Sequence, residues 1–135
     1  MSELKLQLVS PDQDYFVGNI DMVVIPGEDG DFSVLAEHAP IITYLRPGKL
    51  TIIEEKNKEH SYFVGSGFVQ VENNNCKVLV DYIKKSSDFD IGVSKKELSD
   101  LLTTIENENN ESTLKGLLEK KEIIEEEVSF LEGIN

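Results

Sequence analysis

The chain has no tryptophan, one cysteine, one arginine and only four prolines in 135 residues. A lone cysteine, Cys76, excludes an intrachain disulfide, which fits a reducing compartment. Two histidines beside that one cysteine cannot supply the usual ligand set of a Cys/His zinc site. Positive charge is scarce: 13 Lys and Arg face 26 Asp and Glu, for a net charge of -13. Phosphates repel so acidic a surface, which argues against nucleic acid and anionic lipid as partners. No apolar run nears the roughly 20 residues that span a bilayer. The first residues, Met1-Ser-Glu-Leu-Lys5, lack the charged-then-apolar pattern of a signal peptide. Any membrane association is therefore expected to go through a partner protein.

What is present falls into two kinds of pattern. Up to about Asp81 the chain reads as short strands. Leu4, Leu6 and Leu8 alternate with Lys5 and Gln7, a period of two with one buried face. Further runs are Asp21 to Ile25, Ile41 to Leu45, Lys49 to Glu54, Ser61 to Val64, Phe68 to Val71 and Lys77 to Tyr82. Turn formers separate them at Glu28–Asp31, Lys56–Lys58, Gly65–Gly67 and Asn73–Asn75. Such spacing predicts an antiparallel sandwich or barrel. From Ser94 the period becomes helical, with Leu98, Leu101, Leu102 and Ile105 on one face and Ser94 with Glu97 as a capping box. Asn107–Asn110 reads as a turn. A second helix carries Leu114, Leu117, Leu118, Ile124, Val128 and Leu131, with Asn110 or Ser112 as its cap and Gly133 as its stop. The expected class is α+β: a β-domain over residues 1–86, then an antiparallel helical hairpin over 87–135, joined near Lys84–Asp88. Residues 87–135 hold 13 acids against five Lys, so the hairpin is the more acidic part.

No set of residues makes a convincing catalytic centre. Asp12 with Asp14, and Glu54 with Glu55, are carboxylate pairs at turns or strand ends, where solvation keeps them ordinary. Gly65-Ser-Gly67 precedes a strand, not the helix N-terminus that a phosphate cradle needs. His38 reads as a loop histidine bonded to backbone, His60 as a solvated one, and Cys76 as a small buried hydrophobe. The run Glu125–Glu127 reads as a solvated helix face. The leucine stripes suit packing between the helices and docking of a partner equally well.

The segment from Pro26 to Gly48 holds three of the four prolines, the only arginine and His38. With Leu8-Val-Ser-Pro11, Val24-Ile-Pro-Gly27, Gly30-Asp-Phe32, His38-Ala-Pro40, Leu45-Arg-Pro-Gly48, Gly65-Ser-Gly-Phe68 and Val78-Leu-Val80, it resembles the epsilon subunit of the rotary F-type ATP synthase. The form most similar is the alphaproteobacterial one, itself similar to the mitochondrial delta subunit. The resemblance implies a sandwich of two five-stranded sheets and a non-catalytic rotor subunit of the central stalk, without a cofactor. Its implied partners are the gamma subunit, the c-ring of the membrane sector and, through the helical arm, the alpha and beta subunits. Its implied place is peripheral, on the cytoplasmic face of the bacterial inner membrane. Glu28, Asp31 and His38 map onto the family's ring-facing loops. Pro26, Gly27, Pro40, Arg46, Pro47 and Gly48 map onto its stiff turns, with Arg46 either ion-paired there or part of the ring contact. The alternative is an ATP-responsive inhibitor of hydrolysis acting through the arm. Against it, the family's ATP motif, Ile/Leu-Asp-x-x-Arg-Ala, is only partly matched: Phe89-Asp-Ile-Gly-Val93 keeps Asp90 but has no Arg-Ala. The second helix also carries six Glu from Glu119 to Glu132, where inhibitory members offer bases to an acidic partner.

Overall fold

Alternation decides how the first strand sits. Leu4, Leu6 and Leu8 are buried, while Lys5 points to solvent and Gln7 is half-buried. The computed structural model describes residues 3–133, and the chain splits into two units, the first ending at Lys85 and the second beginning at Ser86. The first unit contains ten strands: β1 (Leu4–Val9), β2 (Asp14–Ile20), β3 (Met22–Gly27), β4 (Gly30–Leu35), β5 (Ile41–Leu45), β6 (Gly48–Glu54), β7 (Lys58–Val64), β8 (Gly67–Glu72), β9 (Asn75–Val80) and β10 (Ile83–Lys84).

These strands form two five-stranded layers, β4-β3-β6-β7-β10 and β5-β8-β9-β1-β2, as the sandwich requires. Among the described residues the layers are joined by the pair Gly27–Leu45. All pairings are antiparallel save β1 with β9, which run parallel. Leu6, Leu8, Val23, Ile25, Leu50, Ile52, Val69 and Val78 fill the space between the inner faces, each fully buried. At about 1.5–3 kcal/mol per buried Val, Leu or Ile, this core is the main stabilising term. Asn73 and Asn74 both take left-handed backbone (φ 51 and 62), the geometry of a two-residue hairpin turn, as their sequence suggests.

Gly27 sits where the layers meet. A Cβ there would lie 2.7 Å from the Gly30 carbonyl oxygen and 2.8 Å from the Phe32 ring. No side chain fits without moving the backbone.

Among the described residues the second unit holds a short 3-10 turn at Ser86–Asp88 and two helices, α1 (Ile91–Glu106) and α2 (Glu111–Glu132). α1 does not start at Ser94 with a capping box. Asp90 caps it, its Oδ1 accepting from the backbone N–H of Gly92 (2.9 Å) and Val93 (3.2 Å). Ser94 already lies in the first turn, donating its N–H to the Asp90 carbonyl. Asn110 caps α2 through the N–H groups of Ser112 (3.0 Å) and Thr113 (3.2 Å), and the Glu108 side chain accepts from Asn110 N–H (2.9 Å). On the α1 side, Asn107 donates its N–H to the Thr104 carbonyl (3.2 Å) and its Nδ2 to the Thr103 carbonyl (3.0 Å), so asparagines on both sides make the break between the helices a property of the sequence. At the other end of the hairpin, Phe89 meets Phe130 edge-on at 6.1 Å. Lys95 Nζ reaches Glu132 at 3.1 Å, an exposed pair worth at most about 1 kcal/mol.

Two measurements check this account. Asp90→Ala and Asn110→Ala should each cost the hairpin about 1 kcal/mol, read as lost hydrogen-exchange protection in α1 or α2 respectively; unchanged protection would contradict the assigned caps. Gly27→Ala should destabilise the first unit by about 1–3 kcal/mol, read as a lower urea midpoint.

Candidate functional site

One end of the sandwich is built from the Pro- and Gly-rich segment. The β3–β4 hairpin turns at Glu28-Asp29, and Gly30 follows with φ 134, a conformation closed to other residues without strain. Asp31 stands opposite Pro26 in the hairpin, and its carboxylate accepts from Arg46 Nη2. Two backbone bonds tie the same end to β5: Arg46 N–H donates to the Pro26 carbonyl and Glu28 N–H to the Tyr44 carbonyl, both at 3.0 Å. The Arg46 and Asp31 side chains are 38% and 59% exposed, so the ion pair sets geometry more than stability.

The expected turn residues need correction here. Pro26 and Gly27 lie inside β3 and Gly48 begins β6, so all three are strand residues. Pro26 is tolerated because its carbonyl serves the contact with Arg46, while its missing N–H is not called upon. Pro47 forms the bend before β6, and Pro40 lies exposed just before β5.

The three residues assigned to the ring contact do not come together. Glu28 and Asp31 share the hairpin end. His38 follows the far end of β4, where its N–H donates to the Leu35 carbonyl. At ~3.3 Å per residue, about 13 Å of strand separates Asp31 from Leu35. His38 Nδ1 donates to the Ala39 carbonyl at 2.7 Å, the backbone-bonded loop histidine that its sequence context suggests.

A second feature lies on the outer face of the β5-β8-β9-β1-β2 layer, and reading the sequence did not single it out. Register places Tyr44 beside Phe68, Phe68 beside Leu79, and Leu79 beside Val9 in one row. Ile42 and Val17 lie at the two ends of the next row. Ile42 is 72% exposed, Tyr44 68%, Val17 52% and Phe68 41%. A signal was available: Ile41-Ile-Thr-Tyr-Leu45 is apolar at both parities, whereas a strand with one solvated face alternates. A contiguous exposed apolar row on a rigid sheet marks a docking surface.

The carboxylates considered for acid–base work are dispersed. Asp12 and Asp14 are exposed at the β1–β2 turn. Glu54 binds His60 Nε2 at 2.6 Å, so His60 is a half-buried partner and not a solvated residue; antiparallel β6–β7 pairing, with Glu54 opposite Lys58 and His60 opposite Ile52, brings the two together on a diagonal. Desolvation raises the Tyr62 hydroxyl pKa, and the Glu54 charge adds to the shift. Cys76 is buried, and desolvation pushes its thiol to about 12. Among the described residues no group of three or more His, Cys, Asp or Glu could hold a metal ion, and no helix is long and apolar enough to cross a membrane.

Comparison with known proteins agrees on one family. The family model for the ATP synthase delta/epsilon chain, beta-sandwich domain, matches residues 3–86. An ATP synthase epsilon chain of Maricaulis maris is 35% identical over 126 residues, covering 91% of this chain and 94% of that relative. One from Pelagibacter ubique is 30% identical over 134 residues, 98% of each chain. Among solved structures, a chain of the Euglena gracilis mitochondrial ATP synthase, imaged as OSCP/F1/c-ring, superposes with a TM-score of 0.81 at 21% identity, over 93% of this chain and 81% of that one, a likeness of fold.

The thiol makes a pH prediction. Cys76 has a folded pKa of about 12 against 9.0 unfolded, so the unfolded chain loses that proton first. Its contribution to stability is complete below pH 9 and is lost as pH rises toward 12. The urea midpoint should therefore fall between pH 8 and pH 10, by the linkage relation, and Cys76→Val should flatten that fall. An equal fall in the variant would refute the assignment.

Proposed function

The chain belongs to the family of ATP synthase delta/epsilon chains, a non-catalytic subunit family, and on that premise we propose that it works in the rotor of a proton-translocating F-type ATP synthase, coupling c-ring rotation to the gamma subunit and the catalytic head. The observation that carries this reading is the exposed apolar patch of Ile42, Tyr44 and Phe68 on a stiff sheet. A torque-transmitting part needs a broad contact that does not yield, and a close-packed β-sandwich supplies it. We assign that face to the gamma subunit. We assign the hairpin end, with Glu28 at its tip and Asp31 braced by Arg46, to the polar loops of the c-ring. His38 lies too far along β4 to belong to the same small contact and is left out of it. On this reading the chain is peripheral to the cytoplasmic face of a bacterial inner membrane, held there by its partners.

The helical arm is a weak brake on hydrolysis or none. Asp90, the one matching residue of the family's ATP motif, spends its carboxylate on two backbone N–H groups of α1. Glu119, Glu122, Glu125, Glu126 and Glu132 are exposed on α2, and an acidic partner surface repels them. The alternative role as an ATP-responsive inhibitor finds no support in these residues.

Tyr44→Glu combined with Phe68→Glu should weaken binding to the purified gamma subunit by about 2 kcal/mol or more, over tenfold, with unchanged circular dichroism. Unchanged affinity would overturn the assignment of this face. Deleting residues 88–135 should leave ATPase activity of the reconstituted complex nearly unchanged; a several-fold rise would show that the arm is a brake after all.

A further inference from the structure

At the end of the first unit away from Glu28, a cleft of ≈ 700 Å³ opens where β2 passes into β3. Its floor is apolar: Ile20 is buried, Ala36 half-buried, and Leu35 exposed at the end of β4. Its walls carry charge of both signs. Asp21, Glu55, Lys56 and Lys58 line it, all exposed, and none of these side chains has a partner among the described residues. Opposite charges that share a cleft without pairing are poised for a third party.

The remaining wall groups are fixed. Glu3 accepts from Asn19 Nδ2 at 3.0 Å, and Glu54 is held by His60. Asp21 is anchored beside β6 by its N–H, which donates to the Ile53 carbonyl at 2.9 Å. Lys56 takes left-handed backbone, φ 63, an arrangement that costs about 1 kcal/mol or more. Four carboxylates against two ammonium groups leave the cleft negative.

We propose that this cleft binds an extended segment of a partner protein that presents an arginine or lysine beside apolar residues. The cationic side chain lies between Asp21 and Glu55, its apolar neighbours rest on Leu35 and Ala36, and Lys56 and Lys58 donate to the segment's carbonyl oxygens. The charge balance selects a cation over an anion, and the floor requires apolar neighbours. The site is separate from the ring contact, since Leu35 and Glu28 lie at opposite ends of the β3–β4 hairpin, and from Tyr44 and Phe68 of the gamma face, which lie on β5 and β8 at the other edge of the layer from β2.

The test is a titration of the isotope-labelled full chain, followed by amide resonances, with acetyl-Leu-Arg-Leu-amide. Acetyl-Leu-Gln-Leu-amide and acetyl-Leu-Glu-Leu-amide are the controls. Saturable shifts should appear at Asp21, Ala36, Glu55 and Lys56 with the arginine peptide, roughly tenfold weaker with glutamine and absent with glutamate. Asp21→Lys with Glu55→Lys, both exposed and so harmless to folding, should abolish the response to arginine. No shifts at millimolar arginine peptide, equal shifts from all three peptides, or shifts that survive the double variant would overturn the proposal. The stalk assignment would stand in each case, because it is read from gamma binding at another face.

Discussion

The first unit depends on burying the inner faces of both layers at once, and that burial depends on the seam at Gly27. This residue pairs with Gly30 across its own hairpin and with Leu45 across the seam. Within the hairpin the fit is so close that a methyl group would strike the Gly30 carbonyl, and across the seam two 3.0 Å backbone bonds, Arg46 N–H to the Pro26 carbonyl and Glu28 N–H to the Tyr44 carbonyl, hold β3 to β5. Bringing β3 this near β5 lets Val23 and Ile25 face Leu6, Leu8 and Val69 in one core. It also carries Asp31 to Arg46, fifteen residues away. The shared core and the charged rim thus both follow from the contact between β3 and β5.

The molecule keeps its chemistry quiet and its surfaces distinct. The one cysteine is buried, the histidines are engaged with a backbone carbonyl and a carboxylate, and the carboxylates are dispersed. What varies over the surface is polarity. An apolar row runs across one layer, a charged hairpin tip closes one end, and a mixed-charge cleft opens at the other. The proposed role calls for this arrangement: separate contacts on a body whose packed interior deforms little.

Much of this was legible in the sequence. Leu4, Leu6 and Leu8 announced β1 by strict alternation, and Asn73-Asn-Asn75 announced its turn. β2 was not legible, because an edge strand with both faces partly exposed has no clean period; Tyr15-Phe-Val-Gly-Asn19 shows none. β4 was hidden by Glu28-Asp-Gly-Asp31, which reads as a loop four residues long although the turn occupies only Glu28 and Asp29. The start of α1 was misread because Ser94 and Glu97 have the right spacing, while Asp90 three residues upstream of Val93 reaches the free N–H groups first. At the rim, proline, glycine and the lone arginine marked the region. Which residues share an end of β4 is a matter of register, and no local pattern reveals it. The apolar row had left a trace in the two-sided Ile41–Leu45, outweighed there by the louder turn signals around it.

The parallel pairing of β1 with β9 also bears on how the chain is made. Leu6 lies beside Cys76 and Leu8 beside Val78, so the first strand, paired on one side with β2, waits some seventy residues for its second neighbour. A ribosome has released nearly the whole unit before that ladder can form. Until then the β1–β2 hairpin has no place in its layer, and the unit folds late and as a whole instead of hairpin by hairpin.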